Sequence, residues 1–154
     1  MREKTIPVTG GCLCGAIRYE STEQPNWVGY CHCRMCQQAY GALYGLFAAF
    51  PAEAFRYTRG EPTYYQSSSW AKRGFCANCG SPVTMGSVDS PRRTVLIGTL
   101  DHPEDWPPDL RHSGMESNVP WHIINDDLPQ RRTDESEFVK AAKARVRDEA
   151  GRGD

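Results

Sequence analysis

Seven cysteines fall in three groups along the chain: Cys12-Leu13-Cys14, Cys31-His32-Cys33-Arg34-Met35-Cys36 and Cys76-Ala77-Asn78-Cys79-Gly80. An odd number cannot pair internally, so the pattern argues for metal ligation rather than a disulfide framework. In an extended segment residues i and i+2 point to the same side; Cys12 and Cys14 can present two sulfurs to one ion, and so can Cys31 and Cys33. Cys76 and Cys79 have the two-residue gap of a zinc knuckle, and Gly80 lets backbone N–H groups turn towards the thiolates. A closed structural zinc takes four protein ligands, whereas a catalytic zinc takes three and keeps one position open. Seven therefore divides most simply into Cys12, Cys14, Cys76 and Cys79 on one Zn2+, and Cys31, Cys33 and Cys36 on a second. The alternative is one closed site drawn from the triplet plus a knuckle, with the remaining thiols free. A divalent ion held by three thiolates carries net negative charge. It activates water poorly and hosts a soft fourth ligand well, such as a substrate thiol in its nucleophilic thiolate form.

The elements that must position these groups read as short strands up to about residue 133. Candidates are Ala16–Glu20, Leu43–Phe50, Ala54–Tyr57, Thr63–Gln66, Pro82–Met85 and Thr94–Leu100, rich in Val, Ile, Tyr and Phe and broken by Gly, Pro and Ser turns. Gln37 to Tyr40 suits a single helical turn. Asp101 to Pro108 is an extended loop, because its prolines fix φ and push their predecessors out of the helical region. One longer helix follows, with Asp134 as its cap, Glu137 three residues on, and a stripe of Phe138, Ala141, Ala142, Arg145 and Val146. Gly151 ends it and residues 152–154 fray. The expected organisation is one mainly β domain over residues 1–132, followed by a C-terminal helix and tail over 133–154.

Composition narrows the function. The chain has 154 residues, 39% of them hydrophobic, and a formal charge of −1 from 18 basic and 19 acidic side chains. Its mean hydropathy is −0.61. The core should be modest, with metal cross-links adding stability. Balanced charge gives no drive towards phosphate backbones or anionic membranes, and no run approaches the ~18 apolar residues of a membrane span. The charged start, Met1-Arg2-Glu3-Lys4, is unlike a secretory leader. Reduced thiols in a cytoplasmic protein are expected, with neither nucleic acid nor membrane as partner.

Cys12 to Tyr19, Cys31 to Cys36 and Arg73 to Ser81, with Pro120-Trp121-His122 and Asp126-Asp127-Leu128-Pro129 behind them, resemble the glutathione-dependent formaldehyde-activating enzyme family, which includes centromere protein V. The likeness runs from about Gly11 to Pro129. It implies a zinc-bound β-tent of short packed sheets and the same partition of the cysteines, with the triplet at the catalytic zinc. It also implies a carbon–sulfur lyase acting on the adduct of a small thiol such as glutathione with a small aldehyde such as formaldehyde. Formaldehyde-activating members carry more sequence ahead of the first cysteine group than the 11 residues here. Fewer contacts to glutathione, and activity on other aldehyde–thiol adducts, are therefore expected.

Other side chains have weaker claims. His32 alternates away from Cys31 and Cys33, which suits a supporting role better than ligation. His112 and His122 suit either proton transfer or structural turns. Ser67-Ser68-Ser69-Trp70 reads as a turn before the knuckle strand, or as a substrate contact. Arg34 and Arg73 flank the triplet and the knuckle, where they can offset thiolate charge or receive substrate carboxylates. Tyr40 is the tyrosine expected nearest the open zinc, and His32, Tyr40 or a water the expected proton donor. The rival to a lyase is a non-catalytic zinc-stabilised binding module. A reductase of the methionine sulfoxide type would need a free attacking thiol, which the four-plus-three division does not leave.

Overall fold

A computed structural model describes residues 6–87 and 90–150. Among them ten strands form two sheets. The strands are β1 (Val8–Gly11), β2 (Arg18–Ser21), β3 (Trp27–Cys31), β4 (Gly45–Pro51), β5 (Phe55–Arg59), β6 (Thr63–Gln66), β7 (Lys72–Phe75), β8 (Pro82–Gly86), β9 (Arg92–Leu96) and β10 (His112–Ser113). The small sheet has the order β1-β2-β5 and the large one β10-β3-β4-β9-β8-β7-β6. Neighbours are antiparallel except β10, which runs parallel to β3.

Alternation explains how the sheets meet. Ile17 and Tyr19 are buried on either side of the half-buried Arg18, as a strand with one covered face requires. They join Val28, Ala48, Phe50, Val83 and Val95 of the large sheet in one core. The Phe50 ring lies 6.1 Å from Phe55 of the small sheet. Strand β4 is central and buried along nearly its whole length, so both its faces are covered. Phe47, on the opposite face from Ala48 and Phe50, meets Tyr40 at 5.7 Å between ring centroids. That second face carries helix α1 (Arg34–Tyr40).

The six strands expected from sequence differ mainly at their ends. Strands β1, β3 and β10 are not among the expected segments, and β7 is expected only as an unbounded strand after the Ser67 turn. The segment expected over Thr94–Leu100 is β9 over Arg92–Leu96 followed by a 3-10 turn at Ile97–Thr99. Helix α1 begins at Arg34 rather than Gln37, which places Cys36 inside it. Ser67 to Ala71 is a hairpin turn, closed by hydrogen bonds from the Ser67 N–H to the Ala71 carbonyl (3.0 Å) and from the Ala71 N–H to Ser68 Oγ (3.1 Å). Helix α2 (Glu137–Ala150) is capped by Ser136, whose Oγ accepts from the Val139 N–H at 3.4 Å. Asp134 sits instead in a 3-10 turn, Thr133–Glu135, where Glu135 accepts from the Arg132 N–H (2.7 Å). Ala142 is buried and Ala141 exposed. The side chains of Phe138 and Arg145, and the expected stop at Gly151 with the tail behind it, lie outside the described residues. No described helix is long and apolar enough to cross a membrane.

Candidate metal centres

Chain order scatters the cysteines, and the fold collects them. Cys12 and Cys14 lie in the loop after β1, and Cys76 and Cys79 in the turn between β7 and β8. Their four sulfurs lie within 4.8 Å of one another. Cys12 and Cys14 are 3.6 Å apart at Sγ, and Cys14 and Cys76 3.8 Å. Sulfurs at the corners of a tetrahedral zinc, with bonds near 2.3 Å, are separated by about 3.8 Å, whereas a disulfide needs about 2.0 Å. The spacing fits a metal.

Donors surround these sulfurs. The Ile17 N–H reaches Cys12 Sγ at 3.2 Å, and Asn78 Nδ2 reaches Cys14 Sγ at 3.2 Å. Ser81 lies 3.1 Å from Cys79 Sγ and accepts from the Leu13 N–H at 3.1 Å, so it ties the two cysteine loops together. Its carbonyl accepts from the Cys76 N–H (2.9 Å). Such contacts stabilise thiolate charge and orient the ligands.

The second cluster is Cys31, Cys33 and Cys36, again with sulfurs within 4.8 Å of one another. Strand β3 delivers Cys31, Cys33 precedes α1 in extended backbone, and Cys36 is in the first turn of the helix. Among the described residues no fourth Cys, His, Asp or Glu atom joins them. The three sulfurs resist joint ionisation. Hydrogen bonds from Cys31 and Cys36 hold Cys33 far below an ordinary thiol, while Cys31 is driven up, first by its hydrogen bond to Cys33. A cation among them removes that conflict, because a bound metal deprotonates its thiols. Each cluster could hold one metal ion.

Buried polar groups support the triplet. Strand β10 pairs Ser113 with Cys31, and the Ser113 carbonyl accepts from the His32 N–H at 2.7 Å. Gly114 follows with φ of 72°, and a Cβ there would stand 2.5 Å from the Cys33 nitrogen. His32 is fully buried; its Nε2 lies 2.8 Å from His112 Nδ1, and His112 Nε2 lies 3.0 Å from Asp126. Tyr30 stacks on His112 at 4.3 Å. Burial, with His112 and His122 nearby, holds the His32 imidazole down at about 4, so the ring is neutral. His122 is held by Asn118 through Nδ1 (3.0 Å), with its ring 5.8 Å from that of His32.

On the other side of the triplet, Arg73 of β7 donates from Nη2 to Cys36 Sγ (3.6 Å) and from Nη1 to the Tyr40 hydroxyl (2.6 Å). Tyr40 thus reaches the triplet through Arg73, and burial raises its phenol. Arg34 is exposed and bonds Gln37 on its own helix (3.1 Å). Asp126 is the partner that sequence reasoning missed. Its motif stands out locally, but nothing local couples it to His112.

Residues 7–114, well over half of the chain, match the family of the glutathione-dependent formaldehyde-activating enzyme. The chain belongs to that family. The matched region contains all seven cysteines together with His32, Arg73 and His112, and stops before Asp126. A Schizosaccharomyces pombe protein named as an uncharacterised lyase is 32% identical over 80 residues, covering 47% of this chain and 52% of that one. The chain thus spans about half the length of this curated relative. A crystal structure of a Rhodobacter sphaeroides protein, a structural-genomics target, superposes with a TM-score of 0.50 at 28% identity, over 60% of this chain and 87% of that chain.

Proposed function

We propose that this family member is a zinc-dependent carbon–sulfur lyase that joins and separates a small thiol and a small aldehyde. The observation that carries this reading is a cluster of three sulfurs with no fourth protein ligand among the described residues. It is supported by family membership and by the lyase name of the yeast relative. In this reading Cys12, Cys14, Cys76 and Cys79 hold a structural ion, and Cys31, Cys33 and Cys36 hold the working one. When bound at the triplet, zinc supplies an open position that favours a thiol as its thiolate.

The chain's own residues do the rest. Cys31, Cys33 and Cys36 leave the cluster one negative charge in excess of a divalent ion, and Arg73 cancels it, so an anionic sulfur approaches a neutral site. His112 and Asp126 fix the His32 ring behind the cysteines. An open groove of about 660 Å³ starts beside Cys12 and Ser81 of the four-cysteine cluster and has none of the triplet sulfurs in its lining. Tyr40, Tyr44 and Gly45, the strand partner of Cys31, form its end nearest the triplet. That end is the proposed seat for the remainder of the adduct.

Cobalt substitution tests the reading. A thiol entering the first coordination shell is expected to change the sulfur-to-cobalt charge-transfer absorption when glutathione is added. An unchanged spectrum at millimolar glutathione would count against direct coordination and against the lyase.

A further inference from the structure

Arg73 is an unusual cation. It retains 9% of its surface, and its described hydrogen bonds go to a phenol and a thiol. Its remaining nitrogen, Nε, is buried without a hydrogen-bond partner. A buried donor left idle costs stability, so its persistence asks for a function. Nη2 and Nε form one edge of the planar guanidinium, and their N–H bonds leave it in parallel. Nη2 donates to Cys36 Sγ, and Nε, joined to it through Cζ, is therefore an idle buried donor close beside the triplet.

We propose that the Arg73 Nε–H binds the oxygen of the aldehyde as the carbon–sulfur bond forms or breaks, an inference that rests on the lyase reading above. In the joining direction a lone pair of the thiolate sulfur makes the bond to the carbonyl carbon. The carbonyl π pair moves onto oxygen, which accepts the Nε hydrogen bond. That alkoxide then takes a proton from water, balancing the proton the thiol gave up, and the product is the hydroxymethyl thioether. Arg73 keeps its own proton throughout, since a guanidinium does not ionise in proteins.

Two other groups are candidates for this donor. In the tautomer in which Asp126 accepts from His112 Nε2–H, His112 Nδ1 accepts from His32 Nε2–H. His32 Nδ1, buried and unpartnered, then presents a lone pair and not a proton. The Tyr40 oxygen accepts from Arg73 Nη1 and so positions the guanidinium; its own hydrogen makes it the rival donor, which the Tyr40→Phe comparison separates from Arg73.

The test compares zinc-loaded full-length variants with S-hydroxymethylglutathione, made from formaldehyde and glutathione, as substrate. Arg73→Lys keeps the charge and removes the fork. Its kcat should fall about 100-fold or more with KM little changed, while glutathione still perturbs the cobalt spectrum. Tyr40→Phe should cost about tenfold. Wild-type kcat in Arg73→Lys, or an equal loss in Tyr40→Phe, overturns the proposal. A reading on the unaltered protein stands even if Arg73→Lys does not fold. The Arg73 Nε–H proton resonance should move downfield with the hydroxymethyl adduct and stay in place with S-methylglutathione, which lacks the oxygen. A stationary resonance alongside a responding cobalt spectrum overturns this assignment and leaves the lyase standing. A silent cobalt spectrum with no turnover for any thiol overturns both.

Discussion

Cys33 and Cys76 have the same side chain and opposite expected consequences. Cys76 is buried in the cluster that ties the loop after β1, in the small sheet, to the β7–β8 turn, in the large one. Losing its sulfur should release both sheets, because a structural metal contributes on the order of 10 kcal/mol to folding. Cys33 stands at the start of α1, where strands β3, β4 and β10 hold the backbone without it. Cys76→Ser is therefore expected to lower the melting temperature by tens of degrees or prevent folding, whereas Cys33→Ser should melt close to the parent and lose activity. Equal collapse of both would show that the two clusters are not divided in this way. At this scale the sequence was readable where ligands are neighbours. The i+2 spacing and the knuckle gap announce sulfurs that share an ion, and the alternation that sends His32 away from Cys31 and Cys33 is local geometry. The partners of His32 and Cys36 were not readable. His112 and Arg73 reach them from 80 and 37 residues away, and no periodicity carries that information.

Among the elements, those read best have strong local signals. Thr63–Gln66 is β6 residue for residue, because β-branched and aromatic residues lie between turns. Helix α1 was underestimated, since Cys33 makes no side-chain cap bond and two ligand positions obscure its first turn. Strand β10 has only two residues, and its parallel pairing with β3 exists only in the assembled sheet. That small strand nevertheless sets the triplet, because Gly114 directly after it lies against the backbone of Cys33. A pair of glycines tests the point. Gly80 has φ of 75° with nothing within 4 Å of a Cβ, whereas at Gly114, φ 72°, the Cβ would meet Cys33 N at 2.5 Å. Gly80→Ala should cost only the left-handed backbone penalty, about 1–2 kcal/mol. Gly114→Ala adds a backbone clash to the same penalty, and should also speed loss of the triplet metal to a chelator. Differential melting and chelator competition read both effects. A Gly114→Ala protein that keeps its triplet metal as firmly as Gly80→Ala would remove β10 from the site's architecture.

In the whole molecule the two clusters sit differently on the two-sheet frame. One joins the sheets, and the other lies at the end of β3 beside α1, on the face of the large sheet turned away from the shared core. The proposed groove carries a consequence for specificity. Arg18 is the basic residue along it, and its guanidinium is already paired with Asp101. Arg34, exposed at the start of α1, is engaged with Gln37. Glutathione brings two carboxylates, and a hydrogen bond to a charged group is worth roughly 1.5–3 kcal/mol, or about 10- to 150-fold in selection. With Arg18 committed to Asp101, that selection is largely absent, and the sulfur site itself discriminates only sulfur from other donors. Turnover of the hydroxymethyl adducts of glutathione, cysteine and cysteinylglycine should therefore agree within about tenfold in kcat/KM, as measured by NMR exchange spectroscopy. A preference for glutathione of a hundredfold or more would mean that the Arg18–Asp101 pair opens to receive a carboxylate. Asp101→Asn, which frees Arg18, should then strengthen glutathione binding, whereas in a groove that makes no carboxylate contact it should leave the three adducts in the same order.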